Sequence, residues 1–150
     1  MTARGMYLSE LFHVCSVAVI PGWLLLVFLP GWKWTQRVTT FFLIVPLAAL
    51  YLGLFAAHWN SHLGFGSLDQ VFAIFQNPGM VLAGWIHYLA FDLFIGSWEV
   101  RDARRIGIHH VLVIPCLVGT FLVGPVGLLL YLLLRLGMKK RIGADEYAAG

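Results

Sequence analysis

The sequence predicts an all-α integral membrane protein, a bundle of four apolar helices with a short amphipathic helix at the interface between the second and third. Three observations predict it. The 150 residues are 60% hydrophobic and 11% charged, whereas soluble domains carry about 25% charged residues. A chain this small leaves a large share of its surface in water when soluble, so lipid must be the solvent for much of that apolar side chain. Runs free of acidic and basic residues also recur at about 20 residues, the length that crosses ~30 Å of hydrocarbon.

The first span runs from about Met6 to Leu29. Pro30-Gly31 ends it, and Trp32 and Trp34 flank Lys33 as interfacial anchors. The apolar run after Glu10 is longer than a signal-peptide core and has no A-x-A-like exit, so it reads as a span. No Arg/Ser-rich transit segment precedes it. The second span covers Val38 to Ala57. Ser67-Leu68-Asp69-Gln70 then has the form of a capping box. Leu68, Val71, Phe72 and Phe75 follow at i, i+3, i+4 and i+7, which predicts an amphipathic helix in the interface plane, a cover for the bundle or a lid over a site. Asn77-Pro78 opens the third span, Pro78 to Trp98, because proline at the first helical position lacks a donor that would be orphaned anyway. The fourth span runs from His110 to Arg135. The chain thus divides into a four-span domain, residues 1–136, and a basic then polar tail, residues 137–150.

Pro21, Pro46, Pro115 and Pro125 fall inside spans, and each frees a carbonyl that a neighbour must satisfy. Gly22, Gly53, Gly84, Gly96, Gly119, Gly124 and Gly127 allow close helix approach. Cys15 and Cys116 form no CxxC pair and differ in depth by ~15 Å. A disulfide needs Cα atoms within ~7 Å, so both read as packing residues.

The net charge is +3, with basic residues in short clusters beside apolar runs. That placement suits anionic membrane lipids and excludes nucleic acid, which needs a continuous basic face. With four crossings, Arg4, Arg135, Lys139, Lys140 and Arg141 share one side, and Lys33, Arg37, Arg101, Arg104 and Arg105 the other. Charge bias therefore ties. The compact tail cluster points to cytoplasmic termini, and a bacterial inner membrane is the expected location. Oligomeric state stays open, a homo-oligomer included.

Polarity enters the membrane on the third helix. Asp92 sits well inside the span and His87 near its middle. An aspartate at a helix centre costs ~2.5–3.5 kcal/mol to insert, so it is rarely there without a partner or a purpose. At ~100° per residue, Trp85, Tyr88, Asp92, Glu99 and Asp102 share about a third of the circumference. That stripe should face the bundle interior or a wet cleft. His87 lies ~140° from Asp92, so the two are not stacked. Glu10 and His13 on the first span fall near the depth of His87 and Tyr88, which groups Glu10, His13, Trp85, Tyr88 and Glu99 as pocket-lining candidates.

Three readings of these residues compete. As a general acid/base pair, His87 and Asp92 would move a proton on a lipid-soluble substrate, with no cofactor. As a metal or bis-histidine haem site, His13 and His87 would supply axial nitrogens, with Glu10 a hard ligand beside them. Otherwise the polar groups are interhelical glue, worth about 0.6 kcal/mol per hydrogen bond. His58, His62, His109 and His110 sit at span ends and lack a zinc-like partner set. Glu99 and Asp102 could instead pair with Arg101, Arg104 or Arg105 at the surface.

Trp85-Ile86-His87 followed by Asp92-Leu93-Phe94 resembles the W-I-H…D-L-F core of the plant neoxanthin synthase (abscisic-acid-deficient-four) family, which has many bacterial members of this length. The resemblance extends to Phe65-Gly66-Ser67-Leu68, Trp98 with Arg101-Asp102, Pro115-Cys116 and Gly124-Pro125. It implies a four-helix membrane protein acting on xanthophylls. The plant member is associated with converting violaxanthin to neoxanthin, opening an epoxide while a neighbouring carbon loses a proton to leave an allene. Such chemistry needs an acid and a base but no redox cofactor, and His87 and Asp92 carry groups suited to those roles. This chain departs from the plant pattern after the D-L-F core, at residues 97–102.

Overall fold

The computed structural model describes residues 3–60 and 63–139. The described residues are all helix and connection: α1 (Ala3–Ala18), α2 (Ile20–Phe28), α3 (Thr35–Arg37), a π-helical stretch (Val38–Ile44), α4 (Val45–His58), α5 (Leu68–Gln76), α6 (Pro78–Ile106), α7 (His110–Val123) and α8 (Pro125–Lys139). Three continuous segments are long and apolar enough to cross a membrane: Gly5–Phe28, Thr35–His58 and Pro78–Ile106. They leave Phe28, Phe41, Phe42, Leu52 and Phe91 more than half exposed, as α7 leaves Leu122. Soluble monomers rarely show so large an apolar surface. This is a membrane protein.

Proline shapes the first two segments without breaking them. Pro21 sits in the first turn of α2, where no donor is missed. Before Pro46 the helix widens, and the Val45 N–H bonds the Thr40 carbonyl five residues back. A wide turn there accommodates a ring that would otherwise strike the carbonyl four residues behind it.

α6 is the hub, packed against every other long element. Asn77 caps it, its Oδ1 accepting from the N–H groups of Gly79 and Met80 at 3.0 and 3.4 Å. The helix runs two turns past the expected end at Trp98, to Ile106. It stops at Gly107, whose φ of 74° lets the Ile108 N–H close back on the Ala103 carbonyl at 2.8 Å. Charged residues do not end it early because Glu99 and Asp102 are buried against neighbouring helices.

The expected fourth span, His110 to Arg135, is corrected by the structure. The run reverses at Gly124, where φ is +44° and proline follows. α7 descends antiparallel to α6 and α8 returns beside it. At the bend the two arms nearly touch: a Cβ on Gly127 would overlap the Thr120 backbone, and one on Gly119 would lie 3.0 Å from the Gly127 Cα. With 14 and 15 residues the arms reach about 21–22 Å, short of ~30 Å of hydrocarbon. The two arms of the hairpin therefore start and finish at the same end of the molecule. α8 ends level with Ile106, so the described chain begins at one end of the molecule and finishes at the other, against the expectation of termini on one side. It also continues past residue 136 as helix to Lys139, and the rest of the expected tail lies outside the described residues.

α5 forms as expected. Ser67 Oγ accepts from the Gln70 N–H at 3.3 Å, but Gln70 reaches back to the Gly66 N–H, at 3.0 Å, one residue before the cap. Ile74 packs on the protein while Leu68, Phe72 and Phe75 face outward, the posture of an interfacial helix.

Candidate functional site

From Tyr88 onward the polar stripe of α6 faces the hairpin, and these members meet it in order of depth, while Trp85 turns to α1. Tyr88 donates its hydroxyl to the Phe121 carbonyl at 3.1 Å, and the same hydroxyl faces the Asp92 carboxyl. Asp92 rests against the bend itself, where a Cβ on Gly124 would lie 2.8 Å from Oδ1. Two turns further along, fully buried Glu99 accepts from the Thr120 hydroxyl at 2.9 Å. Asp102 then accepts from the Tyr131 hydroxyl, Arg135 Nε and Arg105, each at 2.7 Å. Tyr131 and Arg135 belong to the returning arm, so this cluster fastens α8 to α6. It is also why Asp102 is internal and not a surface partner of the nearby arginines alone.

Two oxygens in this stripe stand out. Asp92 Oδ2 and Glu99 Oε2 are buried and bond nothing among the described residues. Buried acceptors are normally satisfied, and those that are not mark strain, chemistry or a ligand.

Outside the stripe, an open groove of about 600 Å³ runs between α1, α5 and α6. Leu8, Phe12, Phe75, Val81, Trp85 and Tyr88 are among its walls. Trp85 is held by its Nε1, which donates to Ser16 Oγ at 2.9 Å, and its ring tilts against Phe12. Tyr88 thus joins the two regions, its ring in the groove and its hydroxyl at Asp92.

His87 lies elsewhere. It lines a second groove of about 260 Å³ with Tyr51, Phe55 and Met80, and its ring stacks on Phe91. The structure does not bring His87 and Asp92 together. Gly84 lines both grooves, so they adjoin across α6. Glu10 and His13 are exposed on α1 and outside the lining of either groove. His13 has its ring contact with Phe12, and His87 with Tyr51 and Phe91. Among the described residues no three His, Cys, Asp or Glu groups gather as a metal set.

A family model described as ABA DEFICIENT 4-like matches residues 10–131, most of the chain, and leaves out only Leu8 and Arg135 of the site residues named above. The chain belongs to the ABA4-like family. Searches of curated proteins and of solved structures return no match. The matched region ends at Tyr131, so it takes in the hairpin bend and the Asp92, Glu99 and Asp102 stripe of this ABA4-like protein.

Reading the sequence missed four partners in this site. Thr120, Phe121, Tyr131 and Arg135 lie 21 to 33 residues from the groups they bond. A second polar knot was missed too: Gln36 Oε1 accepts from Arg101 at 2.7 Å and from Ser97 Oγ, near Thr39. The span-end histidines do structural work. His110 Nε2 lies 2.9 Å from the Val27 carbonyl, and the His58 ring fills the space over Gly79. His62 lies outside the described residues.

Proposed function

We propose that this ABA4-like protein is a membrane-embedded isomerase of a long lipophilic substrate, carotenoid- or isoprenoid-type, that works by proton transfer without a redox cofactor. One observation carries the reading. A phenol at the wall of an apolar groove faces a half-buried carboxyl, one oxygen of which is buried with no hydrogen-bond partner among the described residues. Opening an epoxide beside a C–H bond needs one proton delivered to oxygen and one removed from carbon, with no net change in atoms. Tyr88 can deliver a proton at the groove wall, and Asp92 can receive one through or beside it. Positioned acid/base groups of this kind contribute ~10²–10⁴-fold to rate. His87 enters through the second groove: a substrate long enough to lie across Gly84 reaches Tyr88 at one side and His87 at the other.

A second reading has its own support. Tyr88, Glu99 and Asp102 of the stripe each bond the hairpin, and Asp102 fastens its returning arm through Tyr131 and Arg135. On that reading the protein binds a lipid or pigment without converting it. Mass spectrometry of the lipid that copurifies in mild detergent identifies the occupant, and conversion of that compound is then followed in Asp92→Asn, Tyr88→Phe and His87→Ala variants. The isomerase reading expects Asp92→Asn to keep the lipid and lose at least ~100-fold in conversion. Full conversion by Asp92→Asn, or a wild-type protein that binds the lipid and leaves it unchanged, would overturn it.

A further inference from the structure

The hairpin changes which residues share a side of the membrane. Three crossings and a re-entrant hairpin put the 29–34 connection, the 107–109 connection and the end of α8 at one end of the molecule. Lys33, Arg37, Arg101, Arg104, Arg105, Arg135 and Lys139 all fall there. At the opposite end the described chain carries Glu10 and Asp69, both exposed, and Arg4 at its start. Among the described residues the tie expected from four crossings becomes seven basic residues against one.

The basic end is also built as an interface. Trp32 and Trp34 are 46% and 42% exposed there, flanking exposed Lys33. The Arg37 guanidinium lies 5.0 Å from the Trp34 ring centre, holding a charge beside an amphipathic ring. Arg104 donates to the Pro30 carbonyl at 2.8 Å, which pins the 29–34 connection to the end of α6. Tryptophan at headgroup depth with Lys and Arg beside it is the arrangement that engages a negatively charged leaflet.

We infer that this end binds the headgroups of anionic phospholipids on the cytoplasmic leaflet, which places α5, the mouths of both grooves and the N-terminal end of α1 on the opposite side. Charge complementarity selects the occupant: Lys33, Arg37, Arg101, Arg104 and Arg105 are exposed at this end of three apolar crossings, with Trp32 and Trp34 beside the first two, while Arg135 is buried in its pair with Asp102.

Two measurements test it on the full chain in bacterial membranes. Single cysteines are placed at Gly31 and at Gln76, both exposed, with wild-type protein as the control for buried Cys15 and Cys116. An impermeant maleimide added to intact spheroplasts should label Gln76→Cys at once and Gly31→Cys only after lysis. The reverse pattern would overturn the orientation. Lipid retention is then read by native mass spectrometry from nanodiscs of phosphatidylglycerol and phosphatidylcholine in equal parts. Wild type should retain phosphatidylglycerol preferentially, and Lys33→Gln with Arg37→Gln should lose about fivefold per charge removed, while Lys33→Arg with Arg37→Lys keeps it. Equal retention of both lipids by wild type, or undiminished selectivity in the Gln pair, would overturn the headgroup site.

Discussion

Asp92 and Glu99 are two carboxyl groups on one helix face with opposite degrees of commitment. Glu99 is sealed in, one oxygen held by Thr120, whereas Asp92 is half-buried under a bend of backbone that leaves no room for a side chain. Removing the Thr120 hydroxyl strands the bonded oxygen as well, so Thr120→Val should cost about 1–3 kcal/mol in thermal or denaturant unfolding in detergent. An unchanged midpoint would show that something else satisfies Glu99. Gly124→Ala combines a left-handed φ with a Cβ 2.8 Å from Asp92. It should destabilise by at least ~1–2 kcal/mol in the same unfolding assay and, on the proposed isomerase reading, lower conversion as well. The Asp102 cluster sets a sharper case. Breaking a buried pair leaves an uncompensated charge, so Asp102→Ala should cost about 3–5 kcal/mol. Pairing Asp102→Leu with Arg135→Met should lose clearly less than the two single changes summed, since the pair shares one interaction.

At the scale of elements, three crossings were legible because length and apolar composition suffice to define them. Asn77-Pro78 opened α6 and Ser67 opened α5 where local capping chemistry required. The stripe of Trp85, Tyr88, Asp92, Glu99 and Asp102 was legible for a similar reason, since helical spacing is a local property. The hairpin was not, because His110 to Arg135 has the same hydropathy whether it runs straight or folds back. The signal lay in Gly124-Pro125, a helix stop followed by a helix start, with Gly119 and Gly127 placed to let the arms meet. Nor could spacing pair Asp102 with Tyr131 and Arg135, since that contact exists only once the chain reverses. A side chain at Gly127 collides with the Thr120 backbone, so Gly127→Val should spread the arms and lower the melting temperature markedly. Gly53→Val, with nothing within 4 Å of its Cβ, should be nearly silent in the same assay.

For the whole molecule, the central claim is that three helices cross the bilayer and the last apolar run lays its bend on Asp92 at mid-depth. The hairpin contacts of the buried stripe and the gathering of basic residues at one end both depend on that reversal. Its most direct test is a distance between spin labels at Val111 and Leu136, both exposed near the two ends of the run, measured in nanodiscs by double electron–electron resonance. A hairpin with arms packed ~8–10 Å apart puts these labels within about 20 Å of each other. A single straight helix across the same 25 steps would separate them by about 37 Å, and a distribution centred there would contradict the account.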